Sequence, residues 1–172
     1  MIKLKDVGVP LRRLIKNYIL MCIAANMPPG RFKNWLYRRM GAKIGKNVFI
    51  APKVLIDPIF PENIEIGDDV FIGFYSDIWS HVITPHNGRL ELRKGKIKIN
   101  KGVFFGGYSM TTPISQGDVT IGEGAVIASH TFVDRDVKPN TVVVGSPCRD
   151  IKEFHWKTTN LLLSDNDTDK EE

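Results

Sequence analysis

The stretch IGDDVFIGFYSDIWSH, residues 66–81, decides the fold. Its isoleucines Ile66, Ile72 and Ile78 stand six residues apart, and the first two are each followed by glycine. Outward in both directions the spacing continues at Ile44, Ile50 and Ile56, at Ile99 and Phe105, and at Ile121, Ile127 and Val133. Small or branched residues four positions on, such as Val48, Val70, Ser76, Val103, Ser109 and Ala125, complete the pattern. Side chains along a strand alternate faces, so the aliphatic and the residue two before the next one both point inward, with a turn between them. Three six-residue flats make one coil of about eighteen residues, and stacked coils bury a column of aliphatics that one coil could not bury alone. From Ile44 to Ile66 is 22 residues, as is Ile99 to Ile121, so each interval holds a coil plus about four inserted residues, near 58–63 and 114–117. A mainly β fold, a parallel β-helix, follows from this pattern, which leaves the hand of the helix open.

Between Val82 and Ile97 the rhythm stops, in TPHNGRLELRKGK. Long loops in compact repeats are ordered at an entropic cost and are usually functional, so residues 84–97 read as an extended loop arm. The expected organisation is an N-terminal helical cap over residues 1–42, a β-helix over 43–149, and an acidic, partly disordered tail over 150–172.

In LRRLIKNYILMCIAAN, residues 11–26, one helical stripe collects Leu11, Leu14, Ile15, Tyr18, Cys22 and Ala25. A second helix, RFKNWLYRRM, sets Phe32, Trp35 and Leu36 against Arg31, Lys33, Arg38 and Arg39. The plainer reading is a cap whose stripe covers the open end of the first coil. The sharper one is peripheral contact of residues 11–40 with an anionic membrane.

The 172 residues fit one domain, and the net charge of +5 is uneven, with a strongly basic start and an acidic end. No aromatic-basic interleaving or helix-turn-helix accompanies the basic start, so nucleic acid is not an expected partner. The longest apolar run, residues 18–27, is about half the length needed to span a bilayer. The start lacks the apolar core and cleavage site of a signal peptide, so a cytoplasmic protein is expected, at most peripheral at the inner face of the membrane. Cys22 and Cys148 show no metal or redox spacing and read as packed residues.

The repeats, the arm, IGDDVFIG (66–73), IGEGAVIASHTFVDRDV (121–137) and VKPNTVVVGSPCR (137–149) together resemble the hexapeptide-repeat acyltransferase superfamily. The likeness runs from about Gly41 to Lys152 and is greatest to the galactoside/maltose and polysaccharide O-acetyltransferases. It implies a left-handed β-helix, a homotrimer with each site between two subunits, and acetyl-CoA as co-substrate. It also implies a sugar or saccharide acceptor, in surface polysaccharide or lipid-linked saccharide synthesis.

Of the four histidines, His81 matches the family's catalytic position, one flat beyond IGDDVFIG and close to where the arm leaves. A hydroxyl attacks a thioester poorly unless its proton leaves as the bond forms, and a neutral imidazole can take it near neutral pH. The expected reaction is direct transfer, with a backbone N–H steadying the oxyanion. No serine or cysteine lies in a nucleophile-elbow phrase. His86, on the arm, reads as reaching the acceptor or a neighbouring subunit, His130 as a corner residue, and His155 as surface. Trp79 reads as an acceptor-stacking wall or a corner plug. By position, Gly107 and Ser129 line the pantetheine groove, while Arg135, Arg149 and Lys152 meet the coenzyme phosphates or are solvated cations.

Ile50-Ala51-Pro52-Lys53 replaces an asparagine pair that helps hold the acceptor in galactoside/maltose enzymes, which leaves the acceptor open. N-acyl transfer to an amino sugar and a non-catalytic scaffold are the alternatives. The five-residue spacing of His81 and His86 is also seen for two zinc ligands in β-helical hydrating enzymes. In that pattern the third histidine comes from an earlier coil, and none precedes His81 here, so no metal is expected.

Overall fold

The computed structural model describes residues 8–86, 89–113 and 117–151. Two helices lead, α1 at Leu11–Asn26 and α2 at Arg31–Met40. The first coil is β1 (Lys43–Ile44), β2 (Phe49–Ile50) and β3 (Leu55–Ile56), and the second is β4 (Ile64–Ile66), β5 (Phe71–Ile72) and β6 (Asp77–Ile78). Next come β7 (His81–His86) and β8 (Arg89–Lys94), which pair with each other. The third coil is β9 (Ile97–Ile99), β10 (Phe104–Phe105) and β11 (Met110–Thr111), and the fourth is β12 (Val119–Ile121), β13 (Val126–Ile127) and β14 (Phe132–Val133). β15 (Val142–Val144) and β16 (Arg149–Asp150) close the chain described.

Like flats stack into three sheets, ordered β1-β4-β9-β12, β2-β5-β10-β13-β15-β16 and β3-β6-β11-β14. Apart from the final β15–β16 pair, neighbours within them are parallel. The register places Ile44 against Ile66, Ile50 against Ile72 against Phe105, and Ile56 against Ile78. On the third sheet the column continues through Thr111, where the spacing shows no aliphatic, and then Val133. Thr111 is fully buried and its hydroxyl has no hydrogen-bond partner among the described residues.

Coils turn at corners where the backbone enters the left-handed region. One corner uses Asn47, Asp69, Gly102, Gly124 and Asn140, residue types that tolerate positive φ. The other uses Lys53, Tyr75, Tyr108 and His130, and there the last three rings stack with centroids 5.0 Å apart, an attraction that offsets the backbone cost. Coils also approach so closely that a Cβ at Gly106 would sit 2.7 Å from the Ile127 carbonyl oxygen.

The arm differs from the loop expected over 84–97. It is an antiparallel hairpin of six paired positions, from His81 against Lys94 to His86 against Arg89. A two-stranded ladder satisfies most of the backbone groups that an irregular excursion would leave to water. His81 is thus the first residue of the hairpin. At the other end, β16 runs through Asp150, one residue into the expected tail, and residues 152–172 lie outside the described chain, as do 114–116 of the second insertion.

The cap also departs from expectation. In α1 the buried residues are Asn17, Met21, Ala24 and Ala25, whereas Leu11, Ile15, Tyr18 and Cys22 of the stripe are exposed. In α2, Lys33, Asn34, Leu36, Tyr37 and Met40 are buried, and Phe32 and Trp35 are exposed. The cause lies in the first coil. Its N–H groups bond to the second coil, as Gly45 N does to Ile66 O, which leaves first-coil carbonyls without a strand beside them. The helices supply the donors: Lys33 Nζ to Ala51 O at 2.6 Å, Asn34 Nδ2 to Val48 O at 2.7 Å, and Tyr37 OH to Val54 O at 2.7 Å. Asn17 Nδ2 donates to Pro58 O at 2.9 Å and Arg38 Nε to Ile44 O at 2.9 Å. Burial lowers the Lys33 amine to about 8 and pushes the Tyr37 phenol well up.

Candidate active site

The site forms where the third sheet ends and the hairpin begins. Small residues follow the inward aliphatic on the other two sheets, as at Gly45, Ala51, Gly67 and Gly73, but here Asp57 follows Ile56 and Trp79 follows Ile78. β3 and β6 pair in register, so the chain after Ile56 lies beside the chain after Ile78. This brings Asp57 to Ser80 and His81 across 23 and 24 residues of sequence.

Asp57 is fully buried, and both of its oxygens are used. Oδ1 accepts the N–H groups of Ile59 at 2.8 Å and Phe60 at 3.3 Å, which folds the insertion at 58–63 into a turn. Oδ2 accepts the Ser80 hydroxyl at 2.7 Å and the Ser80 N–H at 3.1 Å, and lies 2.6 Å from His81 Nδ1. Burial alone would raise this carboxyl. Against it act the His81 hydrogen bond and charge, then the bonds from Ser80 and Ile59, and together they hold Asp57 below the usual carboxylate range.

A carboxylate at Nδ1 keeps a proton on that nitrogen and leaves the Nε2 lone pair free. The His81 side chain is 11% exposed. Two rings fix its plane: Trp79 meets it at 5.8 Å and 89°, and Phe60 at 5.9 Å and 74°. Across the hairpin, the ammonium of Lys94 stands 5.2 Å from the centre of the Phe60 ring. Burial raises the nearby Asp77 carboxyl, against the opposing hydrogen bond from Trp79. Oriented imidazole, buried carboxylate and aromatic walls make a site able to take a proton from a bound hydroxyl or amine.

Of the residues expected at the site, Trp79 therefore stands beside His81. His86 is exposed at the far end of β7, five residues along the strand and about 17 Å away. Gly107 and Ser129 precede β11 and β14, whereas His81 follows β6, so they lie at the opposite edge of the third sheet. Ser129 is exposed and Gly107 half-buried. Arg135 is exposed and paired with Asp134 at 2.9 Å, and Arg149 is exposed with no ion pair among the described residues. Lys152 and His155 lie outside the described residues, and His130 is the stacked corner residue. Among the described residues no group of three or more His, Cys, Asp or Glu could hold a metal ion.

Asp57, Ser80, Phe60 and Lys94 are site residues that sequence reasoning missed. One signal was present, because Asp57 is an acid at a repeat position held elsewhere mostly by small residues. In the fold this carboxylate is buried and its partners Ser80 and His81 lie one coil later.

No family model matches the chain. YvoF of Bacillus subtilis strain 168, which bears a provisional acetyltransferase name, is 37% identical over 142 residues, covering 82% of this chain and 78% of that protein. The galactoside O-acetyltransferase of Escherichia coli K12 is 28% identical over 153 residues, covering 76% of this chain and 72% of its own. Among solved structures, a hexapeptide-repeat acetyltransferase from Vibrio cholerae, complexed with acetyl-CoA, matches with a TM-score of 0.62 at 22% identity. That match covers 82% of this chain and 86% of the other, and the shared fold is the left-handed parallel β-helix.

Proposed function

The chain belongs to the hexapeptide-repeat acetyltransferase family, and from that premise we propose that it transfers the acetyl group of acetyl-CoA to a sugar hydroxyl, with His81 as general base. The observation that carries this reading is the 2.6 Å contact of His81 Nδ1 with the buried Asp57 carboxylate. Nε2 takes the acceptor proton as the acceptor oxygen bonds to the acetyl carbon. The thioester C–S bond then breaks, and the imidazolium returns the proton to the departing sulfur. Asp57 steadies the imidazolium without taking its proton. Trp79, perpendicular to His81 and beside it, is the aromatic side chain on which a sugar ring would stack.

Arg149, exposed and without an ion pair among the described residues, fits a coenzyme phosphate, with Gly107 and Ser129 as a side-chain-poor groove edge; Lys152 belongs to the same proposal. Arg135 fits less well, because Asp134 already neutralises it. The opposed positions of His81 and of Gly107 and Ser129 support a homotrimer, in which one subunit's groove serves its neighbour's base. An exposed His86 at the hairpin tip is placed to reach that neighbour. The expected setting is surface polysaccharide or lipid-linked saccharide synthesis in the cytoplasm.

The test is coenzyme release by the purified chain with acetyl-CoA and paired hydroxy- and amino-sugars, together with light scattering. Hydroxy-sugar turnover and a mass of about three times 19.4 kDa are expected. His81→Ala should lower turnover about a hundredfold or more with coenzyme binding kept. Asp57→Asn should lower it less, because the ring stays but its tautomer is no longer held. Preference for the amino-sugar would move the reading to N-acyl transfer, and a fully active His81→Ala enzyme would refute the mechanism.

A further inference from the structure

We propose that the outer face of the two cap helices docks on an anionic phospholipid surface. Leu11, Ile15, Tyr18, Ile19 and Ile23 of α1 are each about half exposed, although the helix buries another of its faces. Over the thirteen residues from Leu11 to Ile23 they run about 18 Å along the helix. On α2, Phe32 and Trp35 are 57% and 47% exposed and stack with centroids 5.4 Å apart. The two faces meet at a cleft of about 420 Å³ lined by Lys16 and Leu20 of α1 and Trp35 and Arg39 of α2. So many exposed apolar side chains on two adjacent helices, aromatic rings among them, are uncommon on a part of a protein that meets only water.

Charge selects the occupant. Residues 8–42 contain no Asp or Glu. Of their cations, Lys33 is buried, Arg38 is bonded to first-coil carbonyls, and Arg13 is paired with Glu62. Arg12, Arg31 and Arg39 are exposed and make no ion pair among the described residues. Arg39 stands 5.6 Å from the centre of the Trp35 ring, and Lys16 donates to the Arg39 carbonyl at 3.2 Å. A two-fold contact with a second copy would set this patch against itself, cation against cation, with no carboxylate from residues 8–42 of either copy between them. A bilayer of anionic lipid offers acyl chains to the apolar residues and phosphates to the rim. No helix among the described residues is long and apolar enough to cross a membrane, so α1 would lie in the interface plane. Its inner side holds the 58–62 turn through Asn17 and Arg13, and Phe60 of that turn and Asp57 just before it touch His81. Docking therefore leaves α1 and the 58–62 turn between the lipid and the base.

The test sediments the full chain with vesicles of phosphatidylcholine, alone or mixed with phosphatidylglycerol. Binding to the mixed vesicles should exceed binding to the neutral ones by about tenfold or more, and raised salt should weaken it. Ile19→Asp, on an exposed position, and Arg12→Gln/Lys16→Gln should each lower it about tenfold, with melting temperature and acetyl transfer to a soluble acceptor unchanged. Equal binding to both vesicle types, or unaltered binding by Ile19→Asp, would overturn the proposal. So would an Ile19→Asp variant that only dissociates an assembly, which would give the face to a second copy.

Discussion

Ile50, Ile72, Phe105 and Ile127 stack through the second sheet with no exposed surface, whereas Leu11, Ile15 and Ile19 of α1, equally apolar, stand 51–55% exposed. The difference lies in what each region must satisfy. In the second and third coils every strand has a strand on both sides, so backbone groups pair with backbone groups and the interior is left to hydrocarbon. At the first coil one row of carbonyls has no strand to receive, and the covering helices must present donors there. Lys33, Asn34, Tyr37 and Asn17 fill that need, and the apolar side chains are turned outward.

The comparison breaks first on a matched pair of substitutions. Ile72→Ala should cost about 2–5 kcal/mol, because the column closes on a rigid cavity, while Ile19→Ala should change stability by less than about 0.5 kcal/mol. Chemical denaturation measures both, and equal losses would mean that the outward stripe is buried after all. Next is the cap's polar face. Lys33→Ala removes the donor to Ala51 O and should cost about 1–3 kcal/mol, well above a surface lysine.

Two pH windows sharpen the contrast further, with smaller effects. Lys33 titrates near 8 in the folded chain against 10.5 unfolded, so between those values the unfolded state holds more proton and stability should rise with pH. Lys33→Met should remove that rise, as read from denaturation midpoints. Asp57 is shifted below its ordinary value of 3.8, so its contribution is full above that value and lost as pH falls through the lower folded one. Asp57→Asn should flatten that acid limb. Smallest in stability is Arg149→Glu on the outer edge of the last coil, which should leave the melting temperature unchanged. It should raise KM for acetyl-CoA more than it lowers kcat, as steady-state kinetics would show.

The aliphatic period was legible because each coil repeats the demand of the one before, so that Ile44, Ile66, Ile99 and Ile121 report one inward column. The expectation of a base at His81 rests on resemblance to a family motif. The arm was legible as an interruption, though its antiparallel pairing was not, since HVITPH and RLELRK form a ladder only with each other. Asp57 was visible as an odd acid in a repeat of small residues, and its role was not, because the contact with His81 spans 24 residues and depends on the β3–β6 register. By itself, then, the sequence determined the coil, its period and the places where it is interrupted, since these are local spacings summed along the chain. The tertiary structure alone decided which face of each helix looks inward and which carboxylate holds the imidazole, because both depend on backbone and side-chain groups brought together from distant parts of the chain.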